Sequence, residues 1–304
     1  MKLDIKEKLD KVKFVNKTAP GLEGVSFKQL IFGVIEELGN DNLIIRAASM
    51  SFFFFLAIFP TIIFFFSLIP YLPIDNFTPV LMGYLSEILP KGAFEMLEST
   101  ITDIINVQRS GVTSLNFLMA FIFSSTGVTS MLIAFDKSNE KYKKRSFIKR
   151  QMVSLKLVSL ISLMFLVSIT LVVMGGKTIR AILTYFNLFN VYTYYIIVVL
   201  KYLLVSFAFF NVVAMIYYYG PAVKEKFKYF SAGAIFTTIA LILLSNALKI
   251  YFSLLSNFNH LYGSLGIVIV SLLFVYLNCI ILLLGFEINN SILIKKDDVK
   301  TTKS

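Results

Sequence analysis

Apolar residues along this chain gather into six long blocks separated by polar stretches: Ala47–Ile69, Val112–Phe135, Met152–Gly175, Val191–Tyr219, Tyr229–Phe252 and Gly263–Ile288. The first is twenty-three residues without a charge, eight of them Phe. At about 1.5 Å rise per residue, a helix of that length crosses the roughly 30 Å hydrocarbon layer of a bilayer. Lipid offers no partner to backbone N–H and C=O groups, so each block is predicted to be a helix. Pro70 and Pro73, Gly175-Gly176 and Gly220-Pro221 mark the ends of the first, third and fourth blocks. Tyr192, Tyr194 and Tyr195 at one end of the fourth block, and Tyr217, Tyr218 and Tyr219 at the other, stand where interfacial aromatics are expected.

Weaker periodic patterns lie outside the spans. Phe27, Leu30, Ile31, Val34, Ile35 and Leu38 recur at helical spacing, predicting an interfacial helix before the first span. The long connection Tyr71–Gly111 contains Val80–Leu89 and Phe94–Val107, divided by Pro90 and Gly92, and reads as two short helices over the outer mouth of the bundle. Packing at the membrane surface accounts for both features; a gate or lid is the alternative.

Charge then orients the spans. Counting Lys and Arg from the N-terminal segment through each connection to the tail gives 8, 2, 7, 2, 3, 0 and 4. The alternation puts both termini in the cytoplasm. The expected fold is an all-α integral membrane protein with six transmembrane helices. Residues 1–46 form a cytoplasmic segment, 47–290 the membrane domain, and 291–304 a basic cytoplasmic tail. The location expected is the plasma membrane.

Composition agrees, with 57% hydrophobic residues, 15% charged and a mean hydropathy of +0.78. A net charge of +11 suits nucleic acid in a soluble protein. Here the loop asymmetry accounts for it, so no nucleic-acid partner is expected. The basic runs Lys141–Arg150 and Lys224–Lys228 are expected to meet anionic lipid headgroups instead. A single cysteine, Cys279, excludes intramolecular disulfides and a Cys-based zinc site. His260 sits in a short outer loop with no Cys, Asp or Glu near it in sequence, so no metal is expected. Neither a Walker-type glycine loop nor a GxSxG turn is present, so no cofactor or enzymatic activity is expected. With charged and mixed residues filling the chain before Ala47, no secretory signal is expected.

Ionisable groups inside spans are the default candidates for function, because hydrocarbon penalises their charge. Lys156 and Lys249 lie near span ends and can snorkel to an interface, whereas Lys201 lies deeper and calls for a polar cavity or partner. Glu287, near the inner end of the sixth span, has too short a stem to snorkel. By depth, Arg46 or Lys156 can pair with it, either as a clamp between helices or as part of a substrate or proton site. Asn211, Asn246, Asn278 and Asn289 can bond across helices. Small and hydroxylated residues from Ala120 to Ser130 fit close helix approach, and Pro60 is expected to kink the first span.

Three segments together resemble the YihY/BrkB family of multi-pass inner-membrane proteins, once labelled ribonuclease BN. They are Arg46-Ala-Ala-Ser-Met-Ser-Phe-Phe-Phe-Phe-Leu-Ala-Ile-Phe-Pro60; Gly220-Pro221 with a basic loop and Ala232-Gly233-Ala234; and Tyr262-Gly263-Ser264-Leu265-Gly266 with Leu284-Gly285-Phe286-Glu287-Ile288-Asn289. Phe286 stands where the family usually has Ala, and is expected to crowd the helix face beside Glu287. The resemblance implies six spans and transport or flipping of a lipid or other small envelope molecule. A non-transporting envelope scaffold is the alternative, and a membrane-attached ribonuclease a third reading. Under the transport reading Glu287 is a gating or proton-coupling carboxylate, with Lys201, Lys156, Arg46 and Asn211 as polar contacts and Pro60 as a bend.

Overall fold

The computed structural model describes residues 43–68, 113–136, 141–185, 191–254 and 259–301, with isolated positions between 79 and 98. The expected interfacial helix at 27–38 and nearly all of the two outer-loop helices lie outside these residues. Six helices occupy the described chain: α1 Leu43–Leu68, α2 Thr113–Phe135, α3 Phe147–Tyr185, α4 Val191–Tyr219, α5 Ala232–Leu254 and α6 Asn259–Thr301. One isolated antiparallel bridge, Tyr142 to Val223, is the only β-type pairing among them. Five helices carry a stretch long and apolar enough to cross a membrane, and α5 carries a shorter described one, Ala232–Leu248.

Large apolar side chains are exposed along the helices. In α1 they include a stripe of Phe52, Leu56, Phe59 and Ile63, spaced about one turn apart, and in α4 one of Ile196, Leu200, Leu203 and Phe207. Water would penalise apolar stripes of this extent, whereas acyl chains match them. The chain is a membrane protein.

Boundaries differ from the sequence expectation where glycine was taken as a stop. Helix α3 passes through Gly175-Gly176 to Tyr185. A glycine costs a helix only about 1 kcal/mol, too little to end one whose flanking residues remain helix-compatible. Likewise α6 begins at Asn259, so His260 is helical rather than in a loop, and it continues unbroken past Ile288 to Thr301. Pro60 sits within α1, whose helical hydrogen bonding spans Leu43–Leu68. Gly220 does end α4. Its N–H bonds the Ile216 carbonyl at 2.8 Å, and a Cβ there would strike that same oxygen.

The chain divides into two compact units. One comprises residues 1–52, 130–145 and 213–304, the other 53–129 and 146–212. In the second, α1 and α2 meet at Gly127, where a Cβ would lie 3.2 Å from Ala57 Cβ and 3.4 Å from Phe54. Phe64 packs on Phe117 and Phe121 at 5.2 and 5.1 Å between ring centroids. Gln151 Nε2 donates to Ser125 Oγ at 2.7 Å, and Thr129 Oγ1 lies 2.8 Å from Ser154 Oγ. The small, hydroxylated face predicted on α2 is therefore a helix-packing face, joined to α3 by hydroxyls and an amide.

Candidate functional site

The first unit gathers the polar residues of interest at helix ends. A helix leaves its first N–H and last C=O groups without intrahelical partners, and in an apolar surrounding each needs a side chain. Ser231 precedes α5 and its Oγ accepts from Ala234 N–H at 3.2 Å, an N-cap. The next orphan donor, Gly233 N–H, bonds Asn289 Oδ1 of α6 at 2.8 Å, while Asn289 Nδ2 donates to Ser231 Oγ at 3.0 Å. At the other polarity, Arg145 donates to the carbonyls of Gly220 and Pro221 just past α4. Arg46 donates through Nε to Ala134 C=O, in the last turn of α2, at 2.9 Å.

Glu287 lies within this arrangement and is fully buried. Its Oε1 accepts from Arg46 Nη1 at 3.1 Å, with the arginine side chain 19% exposed. A buried carboxylate is strongly disfavoured unless a cation and hydrogen-bond donors face it. Arg46 suits the position because its planar fork reaches the carboxylate and the Ala134 carbonyl together. One guanidinium thus ties the start of α1, the end of α2 and α6. Of the two cations that depth allowed as partners, Arg46 takes the position; Lys156 lies on α3 in the other unit and is exposed.

Around the pair, α5 and α6 approach closely at two glycines. A Cβ on Gly285 would run into Thr237 Oγ1 and the Tyr217 hydroxyl, and one on Gly233 into the Gly285 carbonyl. Tyr217 donates to Leu282 C=O at 2.7 Å and lies 2.7 Å from Thr237 Oγ1. Phe286, expected to crowd the helix face, is instead the centre of an aromatic cluster. It stacks on Phe135 at 4.6 Å and meets Phe227 and Tyr142 at 6.1 and 6.4 Å. The ring fills space between helix ends that a smaller residue would leave to others.

The remaining candidates are placed as follows. Asn211 donates one turn back to Phe207 C=O, and Asn246 and Asn278 do the same to Ile242 and Phe274. Each of these three bonds lies within one helix, whereas Asn289 bonds across to the start of α5. Lys201 lies on α4, and Lys249 on α5, with side chains outside the described ones; so do Tyr262, Gly263, Ser264 and Gly266 of α6. Two members of the basic run expected to face lipid are turned inward. Arg145 caps α4, and Lys141 Nζ donates to Leu293 and Ile294 carbonyls at 2.8 and 3.2 Å. Sequence reasoning read Tyr217 as an interfacial aromatic, and did not single out Ser231, Thr237, Asn290 or Gln151. Asn290, for example, is buried and accepts from the Tyr142 hydroxyl at 2.8 Å.

Asn289→Leu is expected to lower stability by about 1–2 kcal/mol, since it strips an acceptor from a buried helix N-terminus. Asn278→Leu, which removes an exposed amide bonded within its own helix, should fall within about 0.5 kcal/mol of wild type. Thermal unfolding in detergent separates the two; equal effects would refute the cap.

The family model described as "Virulence factor BrkB" matches residues 34–304. The ribonuclease-like protein YfkH of Bacillus subtilis (strain 168) is 26% identical over 244 residues, covering 80% of this chain and 88% of that protein. No solved structure matches the chain significantly.

Proposed function

This chain belongs to the Virulence factor BrkB family, and from that premise we propose that it passes or flips a lipid or other small envelope molecule across the plasma membrane. In this reading six spans cross the bilayer with both termini cytoplasmic, and the cluster around Glu287 lies at the cytoplasmic end of the bundle. The observation that carries it is the fully buried Glu287 carboxylate, 3.1 Å from Arg46 and inside an apolar helix. Ionisable groups so placed are costly, and in membrane proteins they mark substrate, ion and proton routes.

The geometry also supplies a way to move. Arg46 holds both Glu287 and the Ala134 carbonyl. Neutralising Glu287 weakens the first contact and leaves the second, so α1 stays fastened to α2 while its tie to α6 loosens. A proton or a competing cationic headgroup acts as the trigger. A gradient then supplies the energy, or the passage is downhill.

Reconstitution tests this. In proteoliposomes carrying short-chain fluorescent phospholipids, wild-type protein should speed exchange between leaflets, and Glu287→Gln should reduce that rate at least tenfold. Equal, background-level rates for both would overturn the proposal. The second reading, a non-transporting scaffold, draws on the same joints, because Asn289, Tyr217 and Arg46 are all engaged in bonds between segments. It is favoured if every variant leaves lipid exchange unchanged while stability falls. The relative's ribonuclease-like name motivates a control in which the purified protein is incubated with RNA; no cleavage is expected.

A further inference from the structure

Two connections in the first unit form a small rigid platform. Lys143 N–H donates to Ala222 C=O at 2.6 Å and Lys224 N–H to Lys141 C=O at 2.8 Å, flanking the Tyr142–Val223 bridge. Beneath this clasp Tyr142, Ala222, Val223 and Phe227 are buried. Tyr142 is bonded to Asn290, Phe227 packs on Phe286, and Arg145 holds the Gly220 and Pro221 carbonyls. A loop fixed at that many points presents its outward side chains in one arrangement rather than an ensemble.

What it presents is mostly positive. Lys143, Lys144, Lys224, Lys226 and Lys228 are exposed, with Glu225 the exposed acid among them. The ammonium of Lys226 lies over two rings, 4.6 Å from the Tyr218 centroid and 5.4 Å from that of Tyr219. Tyr229 extends the aromatic group, 6.1 Å from Tyr218, and Phe230 beside it is 63% exposed.

The geometry points to this clasp as a docking surface for anionic phospholipid headgroups, with the lysines meeting phosphate and the Tyr–Phe group seated at headgroup depth. Lipid rather than a soluble polyanion is favoured by position: the platform joins the apolar helices α4 and α5 directly, and its aromatic side chains are of the interfacial kind. The inference does not depend on whether anything is transported.

The test uses the full chain, delipidated in detergent and titrated with phosphatidylglycerol or phosphatidylcholine, with bound lipids counted by native mass spectrometry. Wild type should prefer phosphatidylglycerol. At about fivefold per lysine near a lipid surface, Lys224→Gln/Lys226→Gln/Lys228→Gln should cut that preference at least tenfold. A control variant, Lys6→Gln/Lys8→Gln, changes the net charge outside both connections and should leave it intact. The ratio of the two lipids is read within each sample, so altered yield or stability of a variant does not mimic the result. Absence of a wild-type preference, or equal losses in both variants, overturns the proposal. Retained lipid preference with loss of heparin binding in the triple variant also overturns it, in favour of a soluble acidic partner.

Discussion

Arg46→Leu is expected to destabilise this protein by about 3–5 kcal/mol, the loss typical when one partner is removed from a buried ion pair. The change takes from the Glu287 carboxylate, which has no exposed surface, the guanidinium 3.1 Å away. It also takes the donor from the Ala134 carbonyl in the last turn of α2. Glu287→Leu should cost less, because Arg46 keeps the Ala134 contact and part of its side chain is exposed. The double variant Arg46→Leu/Glu287→Leu should recover much of the loss, since exchanging a buried pair for apolar side chains is often neutral or stabilising. Arg46→Lys should fall between, as a point charge cannot span carboxylate and carbonyl together. Thermal unfolding of the four variants in one detergent gives the coupling directly. Additive effects, with no recovery in the double variant, would show that the pair is not the joint described.

That pair was legible beforehand in a limited sense. A carboxylate at the depth of Glu287 required a cation, and only a few positions offered one. Choosing Arg46 over Lys156 required the fold, because depth along a helix says nothing about which face a residue occupies. Helix α4 was legible at its C-terminal end, because Gly220-Pro221 stops it. Helix α3 was not, because a glycine pair weakens a helix without stopping it.

Other contacts leave no sequence pattern at all. Arg145 and Lys141 bond backbone carbonyls, and every residue carries one, so nothing in the charge run separates these two from their outward-facing neighbours. Tyr217 suited an interfacial anchor equally well, since a ring with a polar tip fits either a membrane surface or a buried hydrogen bond. It is fully buried, and its hydroxyl lies between Thr237 and the Leu282 carbonyl. The Gly285-Phe286-Glu287-Ile288-Asn289 segment concentrates such contacts. Each of Gly285, Phe286, Glu287 and Asn289 makes a different inter-helix contact: a backbone approach, a ring stack, an ion pair and a cap.

The glycine is the strictest of these. Gly285→Ala is expected to be nearly as damaging as loss of Arg46, with a cost of about 3 kcal/mol, at the upper end of the range for over-packed cores. The added methyl would occupy the place of Thr237 Oγ1 and press on the Tyr217 hydroxyl. Neither is the loose end of a flexible chain, because the two hydroxyls are 2.7 Å apart and Tyr217 also bonds Leu282 C=O. Relief therefore comes either by breaking buried hydrogen bonds or by moving α6 away from α5. The second route also shifts Glu287, two residues further along the helix, relative to Arg46. Gly127→Ala makes the comparison fair, because the nearest atoms to its methyl would be Ala57 Cβ at 3.2 Å and the Cα and Cδ1 of Phe54 at 3.4 Å. A shift of a few tenths of an ångström accommodates it, and its effect should stay under about 1 kcal/mol. Thr237→Ala combined with Gly285→Ala removes the nearest obstructing atom and should restore roughly half of the stability lost, read again as thermal unfolding in detergent. If Gly285→Ala melts with wild type, or the second substitution deepens the loss, the contact between α5 and α6 is looser than these distances state.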